Sequence, residues 1–386
     1  MAISSDKVTA RAPLAERLRA RIACEGPISF HDWMQAALYD QAEGYYCRSD
    51  RKRWGREGDY RTAPERSPLF AATFARYFAS LFVELGSPSP WTIVEAGAGS
   101  GEFARGVLAS LKARYPQVFA GTHYAIDEVS ADAREQIRAK LSAFHERVEF
   151  RSLNEADEPV TGIIFANELL DALPVHRVIL RDGSLREFCV GVSDKEEFAW
   201  VECEPGNQRL TQYLDRVGDQ LSEGRIIEVN LAAGDWIARA ARALKRGFII
   251  SVDYGSERKE LLTAPHRRKG TLRAFHRHQL VNNPLAGPGE QDLTTTVDWT
   301  QITEAGKQSG LKTVRFERLD QFLMNEGLLE ELETLARGRD DVNGTLLRAS
   351  AREMVMPDGM ASAFQVLVQL RAVGASQLKK VRIAET

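Results

Sequence analysis

"WTIVEAGAGSGEFARGVLASLKARYP", Trp91–Pro116, decides the fold. An apolar run ends in Glu95, glycines alternate at 97, 99 and 101, and a helical pattern follows. The stretch is therefore strand, tight turn, helix. Gly97 permits the turn and Gly99 lets the backbone approach a ligand, with Ala98 between them. A dinucleotide-binding turn, G-x-G-x-x-G, would place glycine at 102, where Glu102 stands. A negative side chain in the first helical turn is a poor neighbour for a pyrophosphate at a helix N-terminus. G-K-[ST] is missing too, which excludes a P-loop. The turn suits a nucleoside ligand whose tail carries no phosphate.

Working outward, strands and helices alternate. "HYAIDE" (123–128) and "RVEFRS" (147–152) flank the helix "ADAREQIRAKLSAF", and "TGIIFAN" (161–167) follows. "LAAGDWIARAARALKRG" (231–247) leads into the strand "FIISVDYG" (248–255). This alternation predicts parallel βαβ units with right-handed crossovers. "KTVRFERL" and "AFQVLVQL" close a seven-stranded sheet. The stretch 175–205 alternates polar and apolar residues around the turn Asp182-Gly183, which predicts an inserted antiparallel β meander. Residues 255–298 form a basic, irregular insertion. The tail predicts a helix near 299–309 and two more near 320–355.

Upstream of the glycine turn, 10–40 reads as two helices around "GPIS", with Ser29 capping the second. Residues 44–68 lack periodicity and read as a lid loop hinged at Gly55 and Gly58. A helix from Pro68 to about Leu85 follows. The expected division is 1–88, N-terminal helices and lid, and 89–386, the α/β core.

With 386 residues and a formal net charge of −3, the chain as a whole does not bind polyanions by charge alone. Cys24, Cys47, Cys189 and Cys203 form no C-x-x-C pair and read as reduced thiols in a cytosol-like compartment. No run approaches the roughly 18 apolar residues of a membrane span. "ARAPLAERLRARIACEG" is Arg-rich and amphipathic like a transit peptide, but Glu16 interrupts it and it runs on into "GPISFHDW", so it reads as a first domain helix. "HRRKGTLRAFHRHQ" (266–279) holds three of the seven His. The spacing of His266, His276 and His278 matches no zinc pattern, and no metal is expected. The stretch reads as a solvated basic loop docking an acidic protein partner, in preference to nucleic acid.

The remaining concentration of chemistry is "IIFANELLDALPVH" (163–176), where a buried strand ends in Asn167, Glu168 and Asp171. A helical turn there would bring Glu168 and Asp171 together at i, i+3. The structural alternatives are a helix N-terminal charge for Glu168, a cap for Asp171 and a backbone partner for Asn167.

The order acidic-x-G-x-G-x-G resembles the first motif of class I S-adenosylmethionine-dependent methyltransferases. That resemblance implies a Rossmann-like seven-stranded sheet and a cofactor on Glu95, Gly97, Ala98, Gly99 and Gly101. It also implies an acidic residue holding the ribose, Glu128 in preference to its neighbour Asp127. "ANELLDALPVH", "GPISFHDWMQAALYDQAEGYY", "GDYRTAPERSPLF", "VDYG", "GTLRAFHRH" and "GEQDLTTTVDW" jointly resemble the MidA family, whose mitochondrial members are named as complex I assembly factors. The family implies methylation of an arginine on a complex I subunit, with Asn167, Glu168 and Asp171 on the acceptor side. Asp59 to Pro64, including Thr62 and Pro64, would cover the cofactor. It also implies a protein substrate, in the cytoplasm of a bacterium or the mitochondrial matrix of a eukaryote. An RNA or small-molecule methyltransferase, or a non-catalytic cofactor-binding chaperone, stays open at this point.

Overall fold

The computed structural model describes residues 12–49, 65, 67–155, 158–277, 279–339, 341–356 and 359–372. The expected lid, with Thr62 and Pro64, lies outside the described residues apart from its edges, and so does His278.

The main sheet is a row of seven strands: β1 (Trp91–Ala96), β2 (Thr122–Asp127), β3 (Val148–Phe150), β4 (Val160–Asn167), β5 (Leu244–Ser256), β6 (Lys312–Arg318) and β7 (Phe364–Arg371). Their order is β6-β7-β5-β4-β1-β2-β3. The five strands from β3 to β5 are parallel. β7 runs antiparallel between β5 and β6. The two-residue strand Val297–Asp298 adds to the end of β5. Chain order reverses between β1 and β4, so a crevice opens beyond their C-terminal ends, where open α/β sheets bind ligands. The glycine turn leaves one of these strands and Asn167 ends the other.

Strand residues alternate between two cores, which explains why the strands read as continuous apolar runs. Ile93, Ile163, Phe165, Phe248, Ile250, Val366 and Val368 join one core with the helices Pro68–Glu84 and Glu102–Arg114. Phe103 stacks on Phe165 there, with centroids 4.3 Å apart. Val94, Ile164, Ala166, Ile249 and Leu367 join the other core with the helices Leu231–Ala243 and Trp299–Gln308. Each fully buried side chain of this kind stabilises by roughly 1.5–3 kcal/mol.

The meander is larger than its sequence reading. Strands His176–Arg181, Ser184–Val192 and Phe198–Cys203 pair antiparallel, and Ile28–Ser29 and Ile226–Val229 extend them to five. Asp182 (φ 51°) and Gly183 (φ 72°) make the left-handed two-residue turn of a hairpin. The N-terminal helices Leu14–Glu25 and Phe30–Tyr39 pack on this second sheet, not on the main one. The Ser29 hydroxyl accepts the Asp32 N–H at 3.1 Å and caps the second helix, as its sequence indicates.

Two expectations change. The region 320–355 holds three helices, Leu319–Asn325, Leu328–Ala336 and Val342–Val355, because left-handed glycines 327 and 338 interrupt the pattern. The stretch 255–298 is not uniformly irregular. Arg273–His276 is the central strand of a small sheet between Gln279–Val281 and Asp292–Thr294.

Candidate active site

The glycine turn takes left-handed backbone at Gly97, Gly99 and Gly101 (φ 68°, 55° and 72°). A Cβ on Gly97 would lie 3.0 Å from Leu169 Cδ1, so this turn touches the segment after β4. Glu128 is buried and faces the turn: its Oε2 accepts the Gly99 N–H at 3.0 Å and its Oε1 accepts the Ser130 N–H at 2.9 Å. Asp127 is half-buried, and its carbonyl accepts the Gly97 N–H at 2.8 Å.

Glu95 lies beneath the turn, 4% exposed, with the Tyr124 hydroxyl donating to its Oε2 at 2.6 Å. Burial pushes its carboxyl up to about 8, against the pull of Tyr124, and the Glu128 charge adds to the rise. A carboxyl whose folded pKa lies above its unfolded value takes up a proton on folding. Its stabilising contribution is present below about pH 4.5 and is lost as pH rises through about 8. Glu95→Gln keeps an acceptor for Tyr124 and removes the titration. The melting temperature of the native protein should therefore fall relative to that of the variant between about pH 5 and pH 8.5. Parallel curves would show that Glu95 is ionised in the fold at neutral pH.

Glu102, at the start of the helix, bonds Arg105 Nη2 at 2.7 Å and Lys140 Nζ at 2.8 Å. The helix N-terminus is thus occupied by the chain's own ion pairs. The donor set fits a sugar and an uncharged or zwitterionic tail, and it does not fit a pyrophosphate.

At the other side of the crevice, β4 ends in Asn167. Its Nδ2 donates to Glu168 Oε1 at 3.1 Å, and its buried Oδ1 has no hydrogen-bond partner among the described residues. Glu168 stands in left-handed backbone (φ 51°), held by its N–H on the Val252 carbonyl at 2.9 Å. Glutamate in that conformation is uncommon, and such strain of about 1 kcal/mol or more persists where the surroundings impose it, often at functional sites. The expected helical turn is not formed. The segment Glu168–Pro174 is a non-helical bend, so no helix begins there for Glu168 or Asp171 to cap. Convergence comes instead from β5. Asp253, fully buried, accepts the Leu170 and Asp171 N–H groups on Oδ2 at 3.0 and 3.2 Å. Burial raises the carboxyls of both Asp253 and Asp171; for Asp253 the Asp171 and Glu168 charges raise it further. Glu168, Asp171 and Asp253 are therefore one electrostatic cluster.

Several residues of this site received no role from sequence. Tyr254 donates its hydroxyl to Asp171 Oδ2, and Arg273 stacks over the Tyr254 ring, Cζ 4.4 Å from its centroid. Tyr39, from the second N-terminal helix, donates to the Ala172 carbonyl at 3.1 Å; burial and then the charges of Asp171, Asp292 and Glu128 raise its pKa well above the usual phenol value. The expected solvated basic loop is solvated in part: His266, Arg268, Lys269 and Arg277 are exposed, while Arg267, Arg273 and His276 are half-buried. Arg267 donates to the Ser256 hydroxyl and Arg268 to the Glu223 carbonyl, His276 Nδ1 lies 2.8 Å from the Glu290 carbonyl, and Arg273 packs on Tyr254. The signal for these residues was present as the fragments "VDYG", "GTLRAFHRH" and "GEQDLTTTVDW", without a geometry to assign them.

Residues 73–317 match a family of S-adenosyl-L-methionine-dependent methyltransferases. The chain is 28% identical, over 98% of its length and 89% of the relative's, to the mitochondrial "Protein arginine methyltransferase NDUFAF7 homolog" of Drosophila melanogaster. It is 25% identical to the human NDUFAF7 protein, covering 84% of this chain and 75% of that one. A Burkholderia thailandensis crystal structure bound to S-adenosyl-homocysteine matches with a TM-score of 0.80 at 29% identity, over 93% of this chain and 92% of that one.

Proposed function

The chain belongs to this family of S-adenosyl-L-methionine-dependent methyltransferases, and from that premise we propose that it methylates an arginine of a protein, a subunit of respiratory complex I. The cofactor is S-adenosylmethionine, which supplies an electrophilic methyl group in line with its sulfur. We assign its binding to the glycine turn, Glu95 to Gly101, with Glu128 toward the ribose and Thr62 and Pro64 covering it. The relatives named as protein arginine methyltransferases, and their mitochondrial designation, support the acceptor and the setting. In a bacterium the same reaction would take place in the cytoplasm. Among the described residues no helix is long and apolar enough to cross a membrane. The division into 1–88 and 89–386 is part of this reading, with Tyr39 of the first segment reaching Ala172 of the second.

The observation that carries the proposal is the carboxylate cluster at the lip of β4, opposite the glycine turn. A guanidinium stays protonated, with pKa above about 12, so the enzyme's task is to orient one nitrogen and localise charge. A carboxylate can hold two of its N–H groups at once. We assign this role to Glu168, which follows the end of β4 and precedes Leu169, the residue lying against Gly97. Asp171 adds negative potential, and Asn167 Oδ1 offers a further acceptor. Holding nucleophile and methyl in line supplies most of the rate. The transition-state proton can pass to this cluster.

Mass spectrometry of complex I subunits from cells with and without the protein tests this. Methylarginine lost in its absence is the expected result. Unmodified subunits in both, with complex I assembly still dependent on the protein, would replace catalysis with chaperoning. Purified protein should also be stabilised thermally by S-adenosylmethionine and S-adenosyl-homocysteine and not by NAD or ATP, by mass action on the folded state.

A further inference from the structure

Arg273 is an unusual neighbour for a site that holds a guanidinium. Its Nε and Nη2 atoms are buried without a hydrogen-bond partner among the described residues. Asp171 lies close enough for the Arg273 charge to lower its carboxyl pKa, yet Asp171 Oδ1 is also buried without such a partner. One residue connects the two: Tyr254 lies under Arg273 and donates to the other oxygen of Asp171. Directly across the strand pair from Arg273 is Thr294, 5% exposed, whose hydroxyl is a third unpartnered group. The Asp171 carbonyl, by contrast, is satisfied by the Thr295 N–H at 2.9 Å, which fixes this strand against the Asp171 bend.

Had Arg273 served only to neutralise Asp171, the two would be paired, since leaving a buried charged group unmade costs about 1–3 kcal/mol or more per group. Unpartnered donors and an unpartnered acceptor, each belonging to a residue that touches the same tyrosine, match a molecule carrying both a carboxylate and a cationic N–H. Arg273 offers a planar fork suited to a carboxylate, and Thr294 a hydroxyl beside it. We propose that Arg273 and Thr294 form a carboxylate subsite, in which they hold a ligand's carboxylate while Asp171 Oδ1 receives the cationic N–H group next to it. Two ligands of this reaction have that chemistry: the methionyl end of the cofactor, and an acceptor arginine with an acidic side chain beside it. This identification of sources rests on the methyltransferase reading; the subsite itself rests on the unpartnered groups.

The test uses Arg273→Gln, Arg273→Lys and Thr294→Val in the full chain. Calorimetry compares S-adenosylmethionine and S-adenosyl-homocysteine with decarboxylated S-adenosylmethionine. Single-turnover methylation compares two glycine-flanked arginine peptides, one with glutamate and one with glutamine after the arginine. If the cofactor is the source, Arg273→Gln weakens both carboxylated ligands by about tenfold to a hundredfold and leaves the decarboxylated one unchanged. If the acceptor is the source, cofactor affinities hold, and the native preference for the glutamate peptide disappears in Arg273→Gln. Arg273→Lys should recover part of either effect, and Thr294→Val should lose a few-fold in the same direction. Carboxylated and uncarboxylated ligands responding alike in all three variants overturns the subsite and makes Arg273 a support for Tyr254 alone. Native binding of S-adenosylmethionine and turnover of either peptide test the functional reading. The ratio between paired ligands tests the subsite.

Discussion

Gly99→Val should abolish the thermal stabilisation that S-adenosylmethionine gives the native protein. At a ligand concentration about one hundred times its Kd, that stabilisation amounts to about 2.7 kcal/mol. It should register as a rise of several degrees in Tm for a chain of this size. Gly99 has φ 55°, where a β-branched residue is strained by about 1–3 kcal/mol. Its N–H also holds Glu128, so a turn that relaxes the strain releases the carboxylate assigned to the ribose. Strain and displacement therefore act on the same two groups. Gly99→Ala separates them: it meets a milder version of the backbone penalty and adds less bulk, and should keep part of the shift. The Tm without ligand shows whether either variant folds. A Val variant that folds and keeps the full shift would move the cofactor away from this turn.

The turn was legible in sequence because everything that makes it is local. Glu95 to Gly101 is a strand end, three left-handed glycines and a helix start, all within one short stretch. The sheet was legible for the same reason, since the central parallel strands β1, β4 and β5 are apolar runs buried on both faces. The other half of the site was not legible in this way. Tyr254 meets Asp171 across 83 residues, and Tyr39 meets Ala172 across 133. A single sequence holds the residue types, not the pairing. The bend after β4 was misread for a different reason. Glutamate carries no signal for left-handed backbone, so three-residue spacing between Glu168 and Asp171 suggested a helical turn. The actual bend is imposed from outside, by Val252 and Asp253 of the neighbouring strand. The basic stretch is legible only in part, because charge density indicates exposure for His266, Arg268, Lys269 and Arg277 but not for Arg267 and Arg273. Arg267 reaches the Ser256 hydroxyl and Arg273 lies over the Tyr254 ring, contacts set by residues distant in sequence.

Glu168→Gln should fold normally, bind the cofactor normally and lose most methyl transfer. The amide keeps an oxygen for the Asn167 Nδ2 donor, so the local hydrogen bond survives. Removing the charge also relieves the repulsion that Glu168 exerts on buried Asp253, so stability should be unchanged or slightly raised. A residue kept for structure would act in the opposite direction, which makes the combination diagnostic. Loss of one charged, oriented pair in the transition state should cost about 3–4 kcal/mol, or about 10²–10³ in rate. Asp171→Asn should lose less rate and more stability, because Asp171 is buried and its Oδ2 accepts the Tyr254 hydroxyl. Lysine in place of the acceptor arginine should react poorly with the native enzyme, since an ammonium cannot be held by two parallel N–H bonds. Single-turnover methylation alongside cofactor calorimetry separates the cases. Normal turnover in Glu168→Gln would make this carboxylate a structural charge. Parallel loss of cofactor affinity would transfer it from the acceptor side of the crevice to the cofactor side.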